Sequence, residues 1–190
     1  MQKSISIVVS GIRLQFVSLF VLCILLAEAH ASGTVFGSTD SMLCYEESQR
    51  SAGADSLLPC NKAIDSGQLN RRDLAATYSN RGVIHSKLGF QDRALKDHEK
   101  AVEMLPDMSA AYINRGNAYY RLGQYDEALK DYEKAISLQA GPVVMAYYNS
   151  GLTYLKISNP GEARKFFRKA LELSPENTMI QSKLELTPGN

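Results

Sequence analysis

The sequence contains no Trp, only three Cys and three His, and no run of basic residues longer than Arg71-Arg72. Its 21 basic and 20 acidic side chains leave a formal charge of +1. With a balance this even and no longer basic cluster, neither nucleic acid nor an anionic membrane surface is expected as a partner. No Gly-rich phosphate loop, H-E-x-x-H or G-x-S-x-G occurs, which leaves phosphate-loop, zincin and hydrolase chemistry without a motif. Nor is there an apolar stretch of the about 20 residues that a membrane-spanning helix needs. At 190 residues the chain has the length of one ordinary domain.

The longest apolar run, residues 16–27, follows Lys3 and Arg13 and precedes "EAHAS". Ala29 and Ala31 occupy the two small positions of an A-x-A cleavage site. The run therefore reads as a cleavable signal peptide over residues 1–31, cut after Ala31, with a retained anchor as the alternative. Cys23 does not make it a lipoprotein signal, because Leu22 stands where a small residue is required. Export implies a periplasmic or secreted protein with no stable membrane insertion once the signal is gone. Loss of Lys3, Arg13 and Glu28 leaves the mature chain formally neutral. It retains two cysteines, Cys44 and Cys60, in an oxidising compartment. Residues 32–40 read as a short flexible segment.

What the chain does have is repetition. "YSNRGVIHSKLG", starting at Tyr78, is followed 34 residues later by "YINRGNAYYRLG" and 35 after that by "YYNSGLTYLKIS". Gly82, Gly116 and Gly151 align the three segments. An Ala stands twelve residues after each Gly (Ala94, Ala128, Ala163) and another seven further on (Ala101, Ala135, Ala170). Apolar positions recur at helical spacing on both sides of a short break, so each unit reads as helix, turn, helix. Gly89 and Gly123 supply a left-handed turn at that break. Two antiparallel helices approach closely only where no long side chain intervenes, which explains Gly facing Ala. Pro106 and Pro175 close second helices, and Gly141-Pro142 does so in the middle unit.

Tyr112-x-x-Arg115-Gly116-x-x-Tyr119, followed by Ala128, Tyr132 and Ala135, resembles the tetratricopeptide repeat. The match recurs in three successive units across residues 74–175. It departs from the family pattern at Arg81, Arg115 and Ser150, where Leu is usual, and at His85 and His98, where aromatics are usual. The resemblance implies an all-α, right-handed solenoid of helical hairpins. Its units fall at about residues 75–108, 109–143 and 144–177. A capping helix and tail complete it over residues 176–190, shielding the open apolar end of the stack.

A degenerate hairpin at residues 41–66 precedes these units, joined by a linker over residues 67–73. Aligned on Ala63, it places Cys44 at the Gly position and Cys60 at the aromatic position. Both cysteines then face one seam, and a structural disulfide between them is expected in place of the lost Gly–aromatic contact. Two free buried thiols are the alternative. Asp73 is available to cap a helix beginning at Leu74.

No catalytic residue, cofactor or metal site emerges. His85 and His98 sit 13 residues apart at Tyr-type positions of one unit. Metal centres demand more ligands, so both are expected as core histidines satisfied by nearby hydroxyls. Asn80, Asn114 and Asn149 each precede the aligning Gly by two positions. At about 100° per residue they point about 200° from it, toward the concave side. A row of amides there would pair with the N–H and C=O of an extended peptide whatever its side chains. The other reading is hydrogen bonding within the helix or to a neighbouring unit. The same face is assigned Lys87 in the first unit, Asn117, Tyr120 and Arg121 in the second, and Tyr148, Leu152 and Lys156 in the third. Ser79, Val83, Ile113 and Met145 are placed beside them. Such a groove suits a polypeptide segment with apolar anchors and some acidic character. The function expected is a non-catalytic interaction module or adaptor. Two alternatives stand: a metal-dependent enzyme using His85 and His98 with Asp97 or Glu99, and a structural subunit that self-associates as a homo-oligomer.

Overall fold

The computed structural model describes residues 39–188. The signal peptide expected over residues 1–31 and most of the segment after it lie outside those residues. Within them the chain is all-α: α1 Thr39–Gln49, α2 Leu58–Asp65, α3 Arg71–Lys87, α4 Gln91–Met104, α5 Ser109–Arg121, α6 Tyr125–Ser137, α7 Val143–Lys156, α8 Pro160–Leu173 and α9 Thr178–Leu186. Among the described residues no helix is long and apolar enough to cross a membrane.

The helices pair in chain order as α1–α2, α3–α4, α5–α6 and α7–α8, with α9 lying on α8. Each seam of a full unit is set by the aligning Gly. A methyl group added at Gly82, Gly116 or Gly151 would fall 2.5 Å, 2.6 Å and 2.5 Å from a ring carbon of His98, Tyr132 and Phe167 respectively. The aromatic lies flat on the bare glycine. Ala94, Ala101, Ala128, Ala135, Ala163 and Ala170 are all fully buried along the facing helices. The turns need a positive φ at their first position. Gly89 (84°) and Gly123 (77°) take it freely, whereas the third unit places Ser158 there at 59°.

In the first hairpin Cys44 and Cys60 are fully buried and their Sγ atoms lie at disulfide distance, with Cα atoms 4.7 Å apart. The helix after it begins earlier than the sequence suggested. Asn70, not Asp73, is the cap. Its Oδ1 accepts from the Asp73 backbone N–H at 2.9 Å, and its Nδ2 donates to the Asp73 carboxylate at 2.7 Å. The first contact is one half of a capping box, and Asp73 stands in the first turn, where the helix dipole favours an acid.

Two further cross-hairpin contacts repeat. Arg81 grips Asp97 through Nε and Nη2 at 2.9 and 2.7 Å, and Arg115 grips Asp131 at 2.8 and 2.7 Å. These are bidentate pairs with buried carboxylates, the stronger kind of ion pair. They explain why Arg replaces Leu before the Gly. The third unit changes both partners together, to Ser150 and Phe166.

At the C-terminal end Ile180 of α9 is buried, and Arg164 donates to the Leu184 and Thr187 carbonyls at 2.9 and 2.6 Å. The cap is partial: Leu173, Met179 and Leu186 stay exposed.

Candidate functional site

Successive first helices touch each other, α3 with α5 and α5 with α7, while the second helices of the full units make no comparable contact. Helices that converge on one side line the inner wall of a curved stack, so α3, α5 and α7 form the concave face. Between α5 and α7 that face opens into a cavity of about 390 Å³ lined by Asn117, Tyr120, Arg121, Tyr132, Met145, Asn149 and Leu152.

Its polar wall is organised by one amide. Asn117 Oδ1 accepts from Tyr132 Oη and from Asn149 Nδ2, both at 2.8 Å. Burial pushes the Tyr132 phenol far above its ordinary pKa, so it stays a neutral donor. With Oδ1 occupied twice, Asn117 keeps its Nδ2 donors, and Asn149 keeps its Oδ1 acceptor. Neither atom has a protein partner among the described residues. The apolar wall comes from Met145, well exposed, from Leu152, and from Tyr120, whose ring meets Tyr125 edge-on at 5.7 Å. Arg121 supplies a cation at the end of α5.

The three asparagines do not form a uniform ladder. Asn114 Nδ2 donates to Ser79 Oγ at 3.0 Å and Asn149 to Asn117, each reaching back to the preceding first helix. Asn80 has no protein partner among the described residues. The amide donors of Asn114 and Asn149 are therefore struts between units, and their Oδ1 atoms have no protein partner among the described residues.

Two residues assigned to the groove lie elsewhere. Lys87 donates to the Ser48 and Arg50 carbonyls at 2.6 and 2.7 Å and so closes the C-terminal end of α1. Tyr148 is buried, with its ring 5.6 Å from that of Phe167. It stands three residues before Gly151, hence on the face turned toward the second helix. Ile113 and Ser79 hold the same offset from their glycines and are buried too. Lys156 is exposed at the end of α7, without a protein partner among the described residues. Tyr132 is a wall residue that its sequence position does not reveal: its offset from Gly116 marks a seam aromatic, and its ring is one, but its hydroxyl reaches Asn117 at the inner cavity.

The histidines form no ligand set. Among the described residues no group of three or more His, Cys, Asp or Glu is placed to hold a metal ion. His98 lies against Gly82 with Nδ1 unbonded, and His85 Nδ1 is unbonded as well. The hydroxyl partners expected for them are not there. Burial, with Arg115 and His85 adding repulsion, lowers the His98 pKa to about 4. His85 Nε2 stands 3.7 Å from Asp97, and burial lowers its pKa despite that carboxylate.

Comparison with known proteins follows the same lines. Tetratricopeptide repeat family models match residues 107–176 and residues 74–105, together more than half the chain. No curated protein sequence matches it. Among solved structures it is similar to the first tetratricopeptide repeat domain of Spaghetti (RPAP3) bound to the HSP90 peptide SRMEEVD. Identity there is 26%, over 60% of this chain and 92% of that one, with a TM-score of 0.57. The first such domain of human RPAP3, solved by NMR, is 27% identical over 58% of this chain and 87% of that one, with a TM-score of 0.55. YrrB, described as having an unusual peptide-binding site, is 26% identical over 66% of this chain and 62% of YrrB, with a TM-score of 0.55. With its hairpins seamed by Gly and aromatic, its buried alanines and these matches, the chain belongs to the tetratricopeptide repeat family.

Proposed function

We propose that the protein is an exported, non-catalytic adaptor that holds a polypeptide segment in the cavity between α5 and α7. The observation that carries this reading is the free donor of Asn117 beside the free acceptor of Asn149. A peptide backbone presents the complementary pair at every residue. Met145, Leu152 and Tyr120 offer an apolar anchor site next to these amides, and Arg121 favours an acidic residue nearby. Peptide binding by the RPAP3 domain and the peptide site of YrrB support the class of partner. The oxidising compartment belongs to the same reading, with Cys44 and Cys60 joined as a disulfide that holds the first hairpin together.

The test is a selection of displayed peptides on the protein, followed by calorimetry on variants. Asn117→Ala and Tyr120→Ala are expected to weaken the selected peptides by about tenfold or more at unchanged helicity. Peptides that bind both variants as tightly as the parent protein would place the docking surface elsewhere.

A further inference from the structure

An Asn amide can turn over and exchange its donor for its acceptor with almost no change of shape. The Asn117–Asn149 pair in the concave cavity therefore has two settings. In the one observed, Asn149 Nδ2 donates to Asn117 Oδ1 at 2.8 Å, which leaves a free donor on α5 and a free acceptor on α7. With both amides turned over, Asn117 would donate to Asn149, and the acceptor would stand on α5 and the donor on α7. Each setting contains one amide–amide hydrogen bond, so that bond does not choose between them.

Tyr132 does choose. Its Oη donates to Asn117 Oδ1 at 2.8 Å, the one hydrogen bond this hydroxyl makes among the described residues. The side chain is only 1% exposed. In the turned-over setting Asn117 would present Nδ2 to it, and the buried O–H would be left without an acceptor. An orphaned buried donor favours the observed setting by about tenfold or more. The repeats keep the two residues together. Asn117 is replaced by Val83 in the first unit and Leu152 in the third, and Tyr132 by His98 and Phe167. Of the three full units, the one with an amide at this inner position is the one whose seam aromatic carries a hydroxyl. Where Val83 offers no acceptor, the next unit's Asn114 donates to Ser79 Oγ instead.

We propose that Tyr132 is a positioning residue that sets the donor–acceptor order of the concave site, and with it the direction in which a bound peptide runs. For a given placement of its side chains, a peptide turned end for end exchanges the places of its N–H and C=O groups. A site with its donor held on α5 and its acceptor on α7 therefore takes one direction and disfavours the other. The apolar anchors Met145 and Leu152 supply no such selectivity, since neither has a donor or an acceptor to orient. Tyr132 acts through Asn117 and not by its own contact with the peptide. This inference rests on the adaptor reading above.

The test is Tyr132→Phe, a ring with a precedent in Phe167 against Gly151. The first readout uses isotope-labelled protein without peptide. The side-chain amide nitrogen signal of Asn149 should move toward that of an unbonded amide, and that of Asn117 away from it, as the pair comes to share its hydrogen bond evenly. The second uses a peptide selected on the parent protein and its retro-inverso analogue. The analogue, built of D-residues in reversed order, keeps the side chains in place and exchanges every N–H with a C=O. The parent is expected to bind the analogue about tenfold or more weakly than the selected peptide. In the variant the selected peptide should lose only about twofold, because half the molecules still hold the original setting. The analogue should gain about fivefold, so the preference collapses, whereas a merely structural role would weaken both probes alike. Unmoved amide signals, equal binding of the two probes by the parent, or a preference that survives Tyr132→Phe would overturn the proposal and leave the adaptor reading in place. A parent protein that yields no peptide dependent on Asn117 would remove the adaptor reading and this role with it.

Discussion

Acidification from about pH 7.5 to about pH 4 protonates His98 in the unfolded chain well before it does so in the folded protein. The ring is buried against Gly82, its Nδ1 has no partner, and its pKa lies at about 4, against about 6.5 in an unfolded chain. A folded-state pKa below the unfolded one means that the unfolded state binds the extra proton. The stability is therefore complete above about pH 6.5 and is lost as the pH falls toward about 4. At 1.36 kcal/mol per unit, the gap corresponds to about 3 kcal/mol. Urea unfolding of the parent protein and of His98→Phe at a series of pH values isolates this share, since the other titrating groups are common to both. Phenylalanine suits the seat, because Phe167 occupies the equivalent place against Gly151. The variant is expected to gain on the parent by about 3 kcal/mol between those limits. It should also be no less stable at neutral pH, where it removes a buried nitrogen without a partner. A stability difference that does not change with pH would refute the assignment of the loss to His98.

Other consequences follow from the seams and turns. Gly116→Ala drives a methyl into the Tyr132 ring and is expected to cost about 1–3 kcal/mol, measured by denaturant unfolding. Ser158→Gly relieves the left-handed backbone of the third turn and should raise stability by up to about 1 kcal/mol, read as a higher melting temperature. Reduction of the Cys44–Cys60 pair should lower stability by roughly 3 kcal/mol, with the loss of hydrogen-exchange protection concentrated in α1 and α2.

The hairpins were legible because Gly, Ala and the aromatic recur at fixed offsets, and those offsets are the seam. The same logic placed Cys44 and Cys60 face to face. Sequence spacing also distinguishes the faces of one helix, and Tyr148 shows the rule applied too loosely: a position three before the Gly shares the Gly's face. Lys87 was not legible, since its carbonyl partners belong to a hairpin 37 and 39 residues away. The Arg–Asp pairs lie 16 residues apart across each hairpin. Aligning units reveals Arg changing to Ser and Asp to Phe, but only the fold shows that these positions touch. The asparagine struts depend on the offset between stacked helices, which no single helix encodes.

The central claim is that the inner wall between α5 and α7 receives a polypeptide. The most direct measurement is photo-cross-linking in cells that produce the protein, from a benzoyl-phenylalanine placed at Met145, with Glu172 on α8 as the control position. The account requires a discrete adduct with another polypeptide from position 145, absent from position 172 and lost in the Asn117→Ala background. Equal adducts from both positions, or adducts only with a second copy of the chain, would contradict it.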